Sequence, residues 1–328
     1  MHKKILALFS GGLDSLVSVF LMQKLGFEVI PIFCSTPFFR PSRAVLVAKA
    51  NDLDLHIVDI SKEHLLMLEN PKYGYGKNFN PCIDCHGLMF RVLKDLLDTY
   101  RAGFIISGEV LNQRPMSQRY DALNAVKKLS NVGDLIIRPL SQKLLSDTLP
   151  IRVGWVNKDD LLQINGRSRK EQLRIAEEFG LKEVQNSGGG CLLTDKGYSR
   201  RLKELIDHNQ LDMKNINFLE VGRHFRLTKE IKMIVNREDN EMEYLHSIIQ
   251  DEVILKCKNI PGPIGILNST LPLSMNIIQN AGNILLRYTP KAKNNEVVYY
   301  GKQYQLNHEI KCIKCTDEEV DKYRINKR

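Results

Sequence analysis

Short apolar runs alternate with amphipathic stretches through the first 140 residues, and that alternation limits the fold more than any other feature. Runs at 4–9, 28–33, 55–60, 104–107 and 135–138 have strand length and strand composition. Between them, 15–25, 41–53, 85–99 and 117–128 carry the spacing of helices. Strands that alternate with helices pair in parallel, because each crossover needs a helix's worth of chain and lays it on a face of the sheet. An α/β domain over 1–149 is expected. The segment 71–81, with Gly74, Gly76, Asn78 and Asn80, reads as a loop.

The pattern then changes. Residues 150–213 are polar and helix-rich, with helices expected at 170–180 and 198–208 around a Gly188-Gly189-Gly190 turn. From 214 to 328 short β-like runs such as 232–236 and 253–256, broken by Pro261-Gly262-Pro263, point to a small α+β domain. At 328 residues the chain is long enough for this division.

Composition excludes several classes. No apolar run approaches the roughly 18 residues that cross a bilayer, so no membrane role is expected. The opening Met1-His2-Lys3-Lys4 and its apolar run are shaped like a leader, but the run ends at once in Ser10-Gly11-Gly12. A buried first strand and a cytoplasmic protein are the expectation. The net charge of +9 favours polyanionic partners, yet it is spread along the chain and marks no single face. Seven cysteines, an odd number, argue for free thiols, metal ligation or sulfur chemistry rather than a disulfide framework.

Ser10-Gly11-Gly12-Leu13-Asp14-Ser15 falls between the first strand and the first helix. A glycine turn there brings backbone N–H groups to an anion at a helix N-terminus. Ser10 and Ser15 add hydroxyls, and Asp14 can hold a divalent cation beside phosphate. The lysine of a Walker loop and a G-x-G-x-x-G turn are both missing, which disfavours kinase-like and nicotinamide chemistry. The pattern resembles the SGG-x-DS loop of the ATP pyrophosphatase (PP-loop, adenine nucleotide α-hydrolase) superfamily. That resemblance implies a Rossmann-like domain that binds ATP with Mg²⁺ and adenylates a substrate, releasing pyrophosphate and later AMP.

A second motif, Ser107-Gly108-Glu109-Val110-Leu111-Asn112-Gln113, continues through Arg114-Pro115-Met116 to Ser117-Gln118. Following a strand, it lies where open sheets gather ligands, with Gly108 allowing close approach and Glu109, Gln113 and Gln118 polar. It is similar to the TGE-x-LGQ-x-x-SQ segment of tRNA 4-thiouridine synthases, with Asn112 in place of a glycine, as is Arg138-Pro139-Leu140. The likeness implies nucleotide contacts from Gly108, Gln113 and Ser117.

Asn80-Pro81-Cys82-Ile83-Asp84-Cys85 precedes a helix. A Cys-x-x-Cys there can be a redox pair, two metal or cluster ligands, or two buried apolar residues. Its place resembles the N-P-x-x-x-C segment of tRNA-specific 2-thiouridylases, which puts Cys85 on the reactive cysteine and Cys82 where that family commonly has Asp. Cys191 resembles the second family cysteine. If Cys191 folds back onto the pair, the three thiolates would hold a [4Fe-4S] cluster with one iron free for hydrosulfide, as in iron–sulfur-dependent tRNA thiolation enzymes. The rival is a persulfide on Cys191 resolved by Cys85. Cys312-x-x-Cys315, Cys34, Cys257, His56, His208 and His224 read as structural.

Asn165-Gly166-Arg167-Ser168-Arg169-Lys170, together with Arg200-Arg201, suits phosphate-backbone contact as well as helix capping. Gly222-Arg223-His224-Phe225-Arg226-Leu227, Ile234-Val235-Asn236-Arg237 and Asn240-Glu241 are similar to a small RNA-associated domain of ribosome quality-control factors. RNA gripping, dimerisation and packing are all open to it, a homodimer included.

The resemblances together imply an ATP- and Mg²⁺-dependent tRNA sulfurtransferase that forms thiouridine, taking sulfur from sulfide or a persulfide-carrying protein. Ser10, Gly11, Gly12, Asp14 and Ser15 would grip pyrophosphate and metal, and Cys82, Cys85 and Cys191 would deliver sulfur. The alternatives are an ATP pyrophosphatase acting on a small molecule, or a non-catalytic nucleotide-sensing RNA-binding protein.

Overall fold

The computed structural model describes residues 3–184 and 190–325. Gly188 and Gly189 of the expected glycine turn lie outside them. Contacts divide the chain into two units, 1–193 and 194–328. The stretch 150–193 therefore packs with the α/β unit, whereas the sequence suggested boundaries at 149/150 and 213/214. Apolar packing explains the difference: Val156, Leu161, Ile175 and Ala176 are buried in the clusters of the first unit.

In chain order the first unit runs β1 (Lys4–Leu8), α1 (Leu13–Lys24), β2 (Glu28–Ser35), α2 (Ser42–Ala50), β3 (His56–Asp59), α3 (Ser61–Glu69), α4 (Cys82–Tyr100), β4 (Ile105–Ser107), α5 (Tyr120–Ser130), β5 (Ile136–Ile137), α6 (Leu149–Arg152) and α7 (Lys170–Glu178). The strands form one sheet in the order β3-β2-β1-β4-β5, parallel throughout. Because strand side chains alternate, Ile5 and Ala7 face one cluster with Leu16, Val19, Ala44 and Val47 of α1 and α2. Leu6 faces the other side, where Leu88, Phe90, Leu93 and Leu97 of α4 pack with Val126 of α5. Both faces are dry, which is why the strands read as nearly continuous apolar runs. The sequence pattern gives no helix at α3, because its apolar residues Leu65, Leu66, Met67 and Leu68 run consecutively instead of at helical spacing, and only His64 and Leu68 are buried.

The strand order reverses beside β1, and ligand crevices form at such points, outside the carboxyl ends of the strands. Leu8 pairs with Ser107 at those ends, so the segments following β1 and β4 leave the sheet side by side.

The second unit has α8 (Lys196–Asp207), α9 (Met213–Asn217), β6 (Arg223–Arg226), β7 (Ile231–Val235), α10 (Glu241–Ile248), β8 (Val253–Cys257), β9 (Ile264–Ser269), α11 (Met275–Tyr288), β10 (Glu296–Lys302), β11 (Gln305–Cys312) and α12 (Asp317–Asp321). Its antiparallel sheet runs β11-β10-β8-β9-β7-β6, as an α+β domain requires. Met233, Val235, Leu255 and Val298 meet Ala281, Ile284 and Leu285 of α11 on one face. Ile234, Ile254 and Ile266 meet Phe218 and Leu245 on the other. Among the described residues no helix is long and apolar enough to cross a membrane.

Cys312 is wholly buried, and its Sγ would lie 2.3 Å from a Cβ placed at Gly282 in α11. Alanine normally improves a helix interior by about 1 kcal/mol over glycine. Here the clash decides the sign. Gly282→Ala is expected to lower stability by about 1–3 kcal/mol, the usual cost of overpacking. Adding Cys312→Ala should recover most of that loss. Urea unfolding of the two single variants and the double variant checks it, and strictly additive effects would refute the packing argument.

Candidate active site

The turn after β1 is held by its own serines. Ser10 N and Gly12 N donate to Ser15 Oγ and Ser10 Oγ, both at 3.3 Å, and Ser15 Oγ donates to Gly12 O at 2.9 Å. Gly11 has φ +72° and comes so close to α2 that a Cβ would stand 2.7 Å from Ala44 Cα. Only glycine suits both demands. The first N–H groups of α1 have no acceptor within the helix, so the turn presents donors to an anion.

The segment after β4 closes against that turn. A Cβ on Gly108 would lie 2.4 Å from Ser15 N, so the two backbones touch there. Gln113 Nε2 donates to Asp14 Oδ2 at 2.6 Å, and Gln172 Nε2 of α7 donates to Gln113 Oε1 at 2.9 Å. Asp14 Oδ1 is buried and has no hydrogen-bond partner. Burial raises the Asp14 pKa, opposed by the Gln113 hydrogen bond and by the charges of Arg169 and Arg114. Ser117 and Gln118 are buried in the same segment, and Gln118 Oε1 also lacks a partner. Asn112 takes φ +62°, a conformation that asparagine tolerates better than most residues, which accounts for its standing where the similar pattern has glycine. That pattern has two residues between its glutamine and serine, and this chain has three, Arg114 to Met116.

Glu109 is almost fully buried and ties three elements together. It accepts from Arg138 Nε at 2.8 Å and from Ser107 Oγ at 3.1 Å, and it pairs with His86 Nδ1 of α4 at 2.8 Å. Burial works against its charge, but Arg138 and His86 prevail and hold its pKa at about 2.

α4 begins at Cys82, earlier than expected, so Cys82 and Cys85 sit one turn apart within the helix. Asp84 in that turn accepts from Lys72 N at 2.7 Å and Tyr73 N at 3.0 Å, pinning the preceding loop. Asn80 Nδ2 donates to Cys82 Sγ at 2.9 Å. Beside Cys191, Leu192 N donates to Phe38 O at 2.8 Å, three residues beyond β2. Cys85 lies within electrostatic reach of Cys191, Cys82 and Cys34, and Cys191 within reach of Cys82. The helix N-terminus would lower thiol pKa values, yet burial wins. The Cys82 thiol is raised, Cys85 is raised well above its ordinary value, and Cys191 is pushed up to about 11. Among the described residues, no three His, Cys, Asp or Glu converge to hold a single metal ion.

Arg114, Arg169, Gln172, His86 and Arg138 complete the surroundings. Gln172 carries no motif around it and shows only as one buried polar position on a polar helix. Cys34, Cys257 and Cys312 are buried, Cys315 lies against the second core, and the buried His224 meets Val221 O through Nε2. Arg201 turns inward, its Nε donating to Leu219 O at 2.8 Å.

Residues 1–143 match the family model described as thiamine biosynthesis protein (ThiI), and residues 222–324 match that of the NFACT protein RNA binding domain. A tRNA-specific 2-thiouridylase MnmA 2 of Fusobacterium nucleatum subsp. nucleatum is 33% identical over 241 residues, covering 68% of this chain and 65% of that protein. The MnmA of Karelsulcia muelleri is 23% identical over 259 residues, covering 74% and 64%. The chain thus spans just under two thirds of the length of these curated relatives. Among solved structures, a 4-thiouridine synthetase–RNA complex with bound ATP aligns with TM-score 0.37 at 20% identity, covering 66% of this chain and 52% of that one. The U34-tRNA thiolase NcsA of Methanococcus maripaludis, solved with its [4Fe-4S] cluster, aligns with TM-score 0.32 at 15% identity, covering 66% and 70%. The first unit is thus similar in sequence to the ThiI family and to tRNA-specific 2-thiouridylases.

The Glu109–Arg138 pair sets a pH dependence. Its folded pKa of about 2 lies below the ordinary 4.5, so its stabilisation is complete above about pH 4.5 and is lost as pH falls toward 2. At 1.36 kcal/mol per unit that is on the order of 3 kcal/mol. Glu109→Gln strands a buried guanidinium and should cost about 3–5 kcal/mol at pH 7. The gap from the unaltered protein should narrow by pH 3, as read by urea unfolding, and a constant gap would refute the charge assignment.

Proposed function

We propose that this chain is an ATP-dependent tRNA sulfurtransferase that adenylates a uridine carbonyl and replaces its oxygen with sulfur. The reading is carried by one juxtaposition: the Ser10–Ser15 turn and the Gly108–Gln118 segment are joined through Asp14 and Gln113, and Gly108 of that segment adjoins Glu109, which pairs with His86 of the cysteine helix.

Ser10, Gly11, Gly12 and Ser15 bind the β,γ-phosphates through backbone N–H and hydroxyl donors. Gly108 lets ATP lie close to the strand ends, while Gln113 and Ser117 orient it. Arg114 and Arg169 balance negative charge beside Asp14. The uridine oxygen attacks the α-phosphorus, the bond to pyrophosphate breaks, and pyrophosphate leaves. Sulfur at the oxidation level of sulfide then adds to the ring carbon that bears the adenylated oxygen, and AMP departs with the electron pair of the broken C–O bond. Water exclusion matters because the adenylated uridine would otherwise hydrolyse.

Asp14 Oδ1, buried and unpartnered, suits Mg²⁺, which would neutralise phosphate charge there. Cys82, Cys85 and Cys191 suit a [4Fe-4S] cluster. Their thiols are partly buried, lie within electrostatic reach of one another and are costly to ionise without a cation, and a cluster would take one thiolate on each of three irons. Such a cluster would supply an iron that binds inorganic sulfide. The match of 222–324 to an RNA binding domain supports tRNA gripping by the second unit.

Asp14→Asn should fold normally and lose pyrophosphate release with bulk tRNA, since it removes the metal-side charge without changing shape. Full activity in that variant would overturn the adenylation assignment.

Anaerobically prepared protein should hold about four irons and four sulfides per chain. Cys82→Ala, Cys85→Ala and Cys191→Ala should each lose most of the iron, while Cys315→Ala keeps it. Iron analysis with single-turnover thiolation decides the matter. Fully active, iron-free protein would replace the cluster with a persulfide on Cys191 and leave adenylation standing.

A further inference from the structure

Three arginines gather in the second unit without a carboxylate to pair with any of them. Arg223 opens β6 and is paired in register with Val235, and Arg237 lies two residues past that partner, so both stand at one end of the β6–β7 pair. Arg201 reaches the same place from α8, and it and Arg223 each feel the charge of Arg237. Among the described residues none of the three forms an ion pair.

The charges of Glu241 and Asp195 reach Arg201, and that of Glu241 reaches Arg223, but the described carboxylates nearby form no ion pair with the cluster. Glu241 accepts from Gly222 N at 3.0 Å and Arg237 N at 2.6 Å, both backbone donors. Asp195 caps α8 through Tyr198 N, and Glu204 is paired with Arg226 and Lys232. Like charges brought together in a partly dry place oppose folding unless an anion answers them.

The guanidiniums are pinned as well as clustered. Arg223 lies over the Tyr288 ring, 4.8 Å from its centroid, and its Nη1 donates to Asn236 O at 3.1 Å. Arg201 is pinned by Leu219 O. Each pin uses one of five N–H donors, so the fork remains available to oxygen acceptors. The three also grade in depth, with Arg237 exposed, Arg223 half-buried and Arg201 buried.

We propose that this corner is a binding site for the sugar-phosphate backbone of RNA, with Arg237 and Arg223 on phosphate oxygens and Arg201 a positioning residue behind them. It rests on the reading that the second unit grips tRNA, and it assigns the place where it does so.

The test uses the full chain and fluorescently labelled unmodified tRNA, with anisotropy measured from about 50 to 300 mM KCl. Arg237→Gln, at an exposed position, should weaken binding roughly tenfold and lower the salt slope by about 0.7–0.9, one phosphate contact. Arg223→Gln should do the same, and Arg237→Lys should keep most of the slope. Lys302→Gln, an exposed change on β10 away from the cluster, should do neither. Unchanged affinity and slope in folded Arg237→Gln would overturn the proposal, as would an equal loss in Lys302→Gln, which would mean diffuse attraction. Thiouridine analysis of tRNA treated with the unaltered protein separates the two readings. Thiolation without an Arg237 effect rejects this site alone, and an Arg237 effect without thiolation rejects the sulfurtransferase alone.

Discussion

The donation from Gln113 to Asp14 holds the first unit's crevice together. One amide reaches the turn after β1, and its carbonyl is in turn fixed by Gln172 from α7. Three chain segments far apart in sequence thereby set the position of a single carboxylate. Gly108 makes this geometry possible, because any side chain there would push the β4 segment away from Ser15. One Asp14 oxygen accepts from Gln113, and the other is buried with no hydrogen-bond partner.

A second tie runs through Glu109. Its contacts with Ser107, Arg138 and His86 join β4, the residue after β5 and the second turn of α4. Movement of the cysteine helix relative to the strand ends would therefore break a buried charged network, which is expensive when one partner is left alone. The thiols and the phosphate turn thus belong to one rigid frame, built on opposite faces of the same sheet.

Much of this was legible in the chain. Alternating apolar runs announce the parallel sheet because both its faces are dry, and the Ser-Gly-Gly turn is readable because its backbone needs glycine. That Cys191 lies within electrostatic reach of Cys82 and Cys85 is suggested in the sequence only by resemblance, since more than 100 residues separate them. Gln172 was illegible: a lone buried glutamine acquires meaning only through its partner across 59 residues. The attachment of the polar stretch 150–184 to the first unit is faint in the sequence, because its buried apolar residues are few and scattered. Desolvation raises the Cys82 and Cys85 thiols despite their place at a helix N-terminus, which a spacing pattern alone does not reveal.

Asn112 holds a left-handed backbone conformation where the similar pattern has glycine. Glycine would adopt that shape without strain, but it would also give the unfolded chain more conformations to lose. Asparagine narrows the unfolded ensemble while tolerating the bend, a trade worth a few tenths of a kcal/mol to about 1 kcal/mol when strain is small. The loop that adjoins the Asp14 carboxylate is consequently stiffened before any ligand arrives, and less ordering remains to be done at the moment of binding.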